Sequence, residues 1–335
     1  MKDPVRILEA AYSPAADEAT WVGRIAEAAG AVMNDGARGV IAVTYDATKS
    51  DFVAIRQLAA PGVDETFLGS LFQVPELGPP CSMVRLYREV PSASVHDRPP
   101  PGMGEFFGYF RDVVGRAGLG ELQFVNATDP SHVGCMFVAA GPVRRRWSPR
   151  ETHRWRLIAA HVAAGMRIHR KLAEPSASAP VLNPEAVLRP DGRIEHAEAA
   201  AQGALVRAAL SRAALGLERA RGPLRREDSD EALAVWEGLV EGRWSLVDHV
   251  DSDGRRFILA HRNDPDAPDI RGLTLRERQV VAYVALGHAN KVIAYELGLT
   301  ISTVASHLAR ARLKLGLRSL EALRGAVDGA AQVGI

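Results

Sequence analysis

The sequence predicts an α+β region over residues 1–262 and a separate all-α module over 271–335. Three observations carry this. Runs rich in β-branched residues alternate with amphipathic helix patterns through the first 172 residues. Two hairpin patterns then flank an Ala/Leu-rich helical stretch in 181–262. From Thr274 onward, closely spaced helix start and stop signals recur with no strand pattern between them. Two stretches without periodicity separate the parts: "AEPSASAP" at 173–180 and the acidic, Pro-broken "NDPDAPDI" at 263–270.

In the first segment, Asp17 to Asn34 has helical composition, with Trp21, Ile25 and Ala28 at helical spacing. "GVIAVTYD" (Gly39 to Asp46) and "DFVAIRQLA" (from Asp51) read as strands joined through the polar "ATKS". "MVRLYREV" (Met83 to Val90), "ELQFVNAT" (Glu121 to Thr128) and "VGCMFVAA" (Val133 to Ala140) are further strand candidates. His96 to Glu105, rich in Gly and Pro, reads as a loop over the sheet, and Met103 to Arg116 as a helix on it. A long helix closes the segment. Ser148 suits the N-cap, Pro149 the first helical position, and Glu151 completes a Ser-x-x-Glu capping box. Trp155, Ile158, Ala159, Val162 and Met166 form its apolar stripe, which can cover its own sheet or pair with a second copy.

In the second segment, Pro190-Asp191-Gly192 is a turn between two short strands, and Ala199 to Leu217 is helical. "GRWSLVDHV", "DSDG" and "RRFILAHR" form a hairpin with longer strands.

Composition narrows the functional class. Hydrophobic residues make up 47% and charged residues 24%, as in globular proteins with real cores. No apolar run approaches the ~18 residues that span a bilayer, and the first residues lack a basic-then-apolar signal segment. A soluble, cytoplasmic protein with no membrane partner is expected. Cys81 and Cys135 lie far apart in no metal-ligand spacing, so buried thiols are expected, with a redox pair as the alternative. No metal site, catalytic residue or Gly-rich phosphate loop is found, and neither a His-Glu-x-x-His nor a Gly-x-Ser-x-Gly element occurs. Cofactors are therefore not expected, although a small-molecule effector of unknown identity fits a sensory region. The net charge of +1 is uneven: Arg271 to Arg324 holds nine Lys or Arg and three Glu, a net of +6, leaving −5 for the rest. A basic module on an acidic body suits a polyanion partner.

The C-terminal signals are denser. Thr274 and Glu277 make a capping box, and Val280, Val281 and Val284 share a helical face that stops at Gly287. Asn290 can cap a second helix whose Ile293, Ala294 and Leu297 face inward before Gly298. Only Leu299 separates that glycine from Thr300, the next N-cap candidate, so the two helices must cross steeply. On a wheel of the third helix, Ile301, Val304, Leu308, Ala311 and Leu315 form one sector. Thr303, Ser306, Arg310 and Lys314 lie opposite, with His307 at the edge. The stretch contains no carboxylate, each of which would meet the dense negative charge of DNA.

The string "LTLRERQVVAYVALGHANKVIAYELGLTISTVASHLARARLKLGL" resembles the LuxR/FixJ-type C-terminal helix-turn-helix. The matching residues are Leu273, Thr274, Arg276 and Glu277; Gly287, Asn290, Lys291, Ile293 and Ala294; Thr303, Val304 and His307; and Lys314, Leu315 and Gly316. The order of elements in the first 172 residues resembles a GAF-like sensory domain, and 181–262 looks like a short PAS-like domain.

The resemblance implies a four-helix module whose third helix enters the major groove. Taken with the wheel of that helix, it points to Lys291, Thr300, Thr303, Ser306, His307, Arg310 and Lys314 as the DNA-binding residues. It also implies a fourth helix, from Ser319 through Leu320, Leu323 and Val327, that helps form a homodimer. The function it implies is transcriptional regulation, with double-stranded DNA, a second copy and RNA polymerase as partners. One departure stands out: Ala305 and Ala309 occupy positions where many members carry basic residues. That feature suits the competing reading, a protein-interaction adaptor whose module binds another regulator.

Overall fold

The computed structural model describes residues 3–33, 39–49, 51–72, 82–90, 92–97, 99, 102–129, 131–173, 184–236, 238–240, 244–262, 275–285, 287–297 and 299–315. The chain divides into two compact units. The first comprises Lys2–Ala10 and Ala16–Ala163; the second comprises Ala11–Ala15 and Ala164–Ile335 together with Met1.

The N-terminal elements are α1 (Val5–Tyr12), α2 (Glu18–Met33), β1 (Val40–Asp46), β2 (Ala54–Ala59), α3 (Glu65–Phe72), α4 (Ser82–Glu89), β3 (Ser92–Ser94), α5 (Gly104–Arg116), β4 (Glu121–Thr128), β5 (Val133–Gly141) and α6 (Pro149–Ala173). The five strands form one antiparallel sheet in the order β2-β1-β5-β4-β3. Strand alternation sends Ile41, Val43, Tyr45, Phe124 and Met136 to one face, where α3, α4 and α5 complete an apolar core. Phe137 points to the other face and meets Trp155 of α6 edge-on, ring centroids 6.1 Å apart.

Local chemistry explains where the elements start. Asp17 Oδ1 accepts from Thr20 N at 2.7 Å at the head of α2. The capping box of α6 forms as its sequence predicts: Glu151 N donates to Ser148 Oγ at 3.2 Å, and Ser148 N donates to Glu151 Oε2 at 2.9 Å. The Ser148 N–H and hydroxyl, with Arg145, outweigh desolvation and hold the Glu151 carboxyl below its usual pKa. Replacing Ser148→Ala should lower the stability of the first unit by about 1 kcal/mol, measured by denaturant unfolding of the full chain. Of the tryptophans, Trp21, Trp155, Trp236 and Trp244 are buried, as packing anchors are.

One element differs from the sequence reading. The Met83–Val90 stretch, read as a strand, is helical through Glu89 as α4. Its Val84, Leu86 and Arg88 alternate as in a strand, but Met83, Leu86, Tyr87 and Val90 also share a helical face. Those four pack on the core under the sheet, and that burial decides between the two patterns. Helices α1 and α3 and the short β3 have no counterpart in the sequence reading, and the Asp51–Val53 stretch precedes β2 rather than joining it. Cys135 is a buried free thiol whose pKa burial pushes up, and Cys81 lies outside the described residues.

In the second unit, β6 (Ala186–Leu188) and β7 (Ile194–Ala197) are followed by a 3₁₀ turn (Ala199–Ala201), α7 (Ala204–Arg221), α8 (Leu224–Glu227) and α9 (Ser229–Val235). Then come β8 (Leu239–Val240), β9 (Trp244–Val250) and β10 (Arg256–Arg262). Both predicted hairpins are present, within an antiparallel sheet in the order β7-β6-β10-β9-β8. Gly192, at φ +81°, supplies the left-handed residue of the first turn, where its N–H donates to Arg189 O at 2.9 Å. The chain then forms α10 (Leu275–Ala285), α11 (Asn290–Leu297) and α12 (Ile301–Leu315). Among the described residues no single helix is long and apolar enough to cross a membrane.

Candidate nucleic-acid interface

The three C-terminal helices pack around Val280, Val284, Ile293, Leu297, Val304 and Leu308, with Leu299 sealing the turn. The first stop is a hydrogen-bonded cap. Gly287, at φ +80°, donates to Val284 O at 3.0 Å, and His288 N donates to Tyr283 O at 3.0 Å, the paired bonds of a Schellman end. Ala289 O accepts from Ile293 N at 3.0 Å, so Ala289 takes the N-cap position of α11 and Asn290 opens the helix. This shifts the predicted cap by one residue. Leu299 N donates to Ala294 O at 2.7 Å and closes α11.

Thr300 caps α12: its Oγ1 accepts from Thr303 N at 3.1 Å. The axes of α11 and α12 differ by 103° across three residues, which is helix-turn-helix geometry. The caps predicted at Thr274 and Gly298, and the fourth helix from Ser319 to Val327, lie outside the described residues.

Along α12 the two predicted faces separate. Val304, Leu308 and Ala311 are buried, whereas Ser302, Ala305, Ser306, Ala309 and Arg310 are exposed. Thr300 is exposed and Thr303 half-buried beside it, and Lys291 is exposed at the start of α11. The side chains of Lys314 and Leu315 lie outside the described residues. Ile301 departs from the wheel: it is 52% exposed rather than packed with Val304. It is the first residue of α12, and helical phase places a residue on a face without supplying a neighbour at the helix end.

The hydroxyls at the head of α12 satisfy one another. Thr300 Oγ1 lies 2.7 Å from Thr303 Oγ1 and 2.8 Å from Ser302 Oγ, and Ser306 Oγ donates to Ser302 O at 2.9 Å. Ser302 is thus a member of this polar edge that the sequence reading passed over. Its signal was present, since it stands four residues before Ser306 on the same helical face. His307 is half-buried. Desolvation lowers its pKa, and Arg310 and Arg276 lower it further against the opposing pull of Glu277. A neutral imidazole presents a hydrogen-bond donor and acceptor, not a cation. Arg310 is therefore the exposed cation among the described side chains on this face of α12.

A buried polar cluster supports the module from behind. The Glu296 side chain on α11 is fully buried and accepts from the Tyr283 hydroxyl and from Arg167 Nη2, each at 2.7 Å. Arg167, near the end of α6, also donates to Tyr283 Oη at 3.0 Å. Tyr12 lies against Trp236, ring centroids 6.2 Å apart. Burial raises the Tyr12 phenol pKa, and the Glu296 carboxylate adds to the rise. An acidic residue within a basic module is thus neutralised internally, away from the outer face of α12.

Residues 271–324 match the bacterial regulatory proteins, luxR family. A Pseudomonas aeruginosa protein named as a transcriptional regulator is 32% identical over 99 residues, 30% of this chain and 46% of that one. The transcriptional regulatory protein FixJ of Rhizobium meliloti is 34% identical over 79 residues, 22% of this chain and 39% of FixJ. The chain thus spans less than half the length of these relatives. A crystallised bacteriophytochrome, RpBphP3 from R. palustris, aligns over 91% of this chain and 75% of its own, at 12% identity and a TM-score of 0.31. A likeness at that score assigns no fold to the N-terminal elements. Among the described residues no cluster of three or more His, Cys, Asp or Glu that could hold a metal occurs.

Proposed function

We propose that this chain is a DNA-binding transcriptional regulator, acting as a homodimer through the outward face of α12. The observation that carries the reading is an exposed, carboxylate-free helix face within the luxR-type segment, set across a 103° turn from α11. Thr300, Ser302, Thr303 and Ser306 are short enough to bring the helix close to base edges, and His307 joins them as a neutral group. Lys291, Arg310 and Lys314 serve the phosphates. The names of the two relatives support regulation as the role. In this reading residues 1–172 form a GAF-like sensory domain and 181–262 a short PAS-like one, joined by linkers at 173–180 and 263–270, with 271–335 as the DNA-binding domain. The protein works in the cytoplasm, where RNA polymerase is its downstream partner, and performs no catalysis.

Selection of duplex DNA from a random pool by the purified chain tests this. Enrichment of a two-fold related sequence is expected. An adaptor, the reading favoured by Ala305 and Ala309, enriches none. Thr303→Ala and Ser306→Ala should each change the selected bases while altering overall affinity little, since neither carries charge. A uniform loss across all sequences would instead assign them to the backbone.

A further inference from the structure

The first unit holds a partly open apolar cavity of about 70 Å³ between the sheet and helices α3, α4 and α5. Ile41 and Val43 of β1, Phe124 of β4, Met136 of β5 and Phe106 and Phe107 of α5 form much of its wall. No charged side chain lines it, and among its lining residues only Tyr87 carries a hydroxyl. An apolar wall of this kind left to water forgoes the free energy that contact with an apolar guest would recover. The wall is also built to yield. Met83 and Met136 are unbranched and polarisable, and they repack around ring-shaped guests at little cost.

The chemistry of the wall selects the guest. An ionised group moved into this space would lose its hydration and find no counter-charge, a penalty larger than burying one ring can offset. Size narrows the choice further. A cavity of ~150 Å³ lined by similar residues holds benzene, and this one is about half that. The guest must therefore be small, and the methionines must move to admit a ring.

We propose that this cavity is a binding site for a small, uncharged, apolar molecule, a single aromatic ring or a short hydrocarbon chain. The sensory role of that site rests on the regulator reading above; the binding itself does not.

The full chain is heated with toluene or with benzoate, which share a ring and differ in charge. At about ten times its Kd, toluene should raise the melting temperature of the first unit by roughly 3–6 °C, and benzoate should leave it unchanged. Val138→Phe, which fills the space from β5, should abolish the toluene shift. Met83→Phe fills it from α4 should the first variant fold poorly, and 4-fluorotoluene followed by ¹⁹F NMR on both reads occupancy without melting. Equal shifts with toluene and benzoate, no shift with either, or a full shift in the filled variants would overturn the site. Polarisation of a fluorescent selected duplex, with and without toluene, separates the two readings. A toluene shift with unchanged DNA affinity keeps the site and removes its sensory role, whereas failure to select DNA removes the regulator reading alone.

Discussion

Arg310→Glu should cost at least about tenfold in DNA affinity per module at physiological salt, and more in a dimer that carries the change twice. Arg310 is exposed on a helix face without carboxylates, so reversing its charge puts an anion against the phosphates. The salt dependence carries the sharper signature. Arg310→Ala removes one released counterion per module, so the slope of log K against log salt should flatten by about 0.9 per copy. Fluorescence polarisation at several salt concentrations reads both. An affinity unchanged by Arg310→Glu would place the DNA elsewhere. The helix itself should survive, because Arg310 faces away from Val304, Leu308 and Ala311.

Arg167→Met should destabilise the second unit by about 3 kcal/mol, near the lower end for breaking a buried ion pair. The change takes the Arg167 guanidinium away from the buried Glu296 carboxylate, 2.7 Å from it. The lower end applies because Arg167 keeps 34% of its side chain exposed while Glu296 keeps none. Glu296→Gln in the Arg167→Met background should restore part of the loss by removing the buried charge. Arg167→Met with Glu296→Leu should restore most of it, since apolar replacement of a whole buried pair is often neutral or stabilising. Urea unfolding of the full chain, followed at the transition of the second unit, measures all three. Equal stability of Arg167→Met and the wild type would show that the pair contributes nothing.

How legible each feature was in the sequence follows the range of the interaction that makes it. The Ser148–Glu151 box, the Pro190-Asp191-Gly192 turn and the Thr300 cap join groups three or four residues apart, and each forms where its residues predicted. The separation of Val304, Leu308 and Ala311 from Ser306 and Arg310 needs only the helical period. Met83 to Val90 satisfies the periods of strand and helix together, so local pattern could not decide it. Helix α3 is eight residues long, too short for its pattern to stand out from the surrounding loop.

Other features have no local signature. Arg167 and Glu296 are 129 positions apart, and each alone reads as an ordinary charged residue on a helix. The apolar cavity draws on three strands and three helices, none of whose own pattern is unusual. By itself, then, the amino-acid order determined the Ser148 and Thr300 caps, the Gly192 and Gly287 turns, the steep crossing of α11 and α12 and the uncharged-to-basic outer face of α12, because those depend on backbone geometry within one or two turns. Tertiary packing alone decided the helical state of Met83 to Glu89, the exposure of Ile301, the partner of Glu296 and the cavity under the sheet. Each of these depends on which distant surface excludes water from a side chain, and no stretch of sequence carries that information on its own.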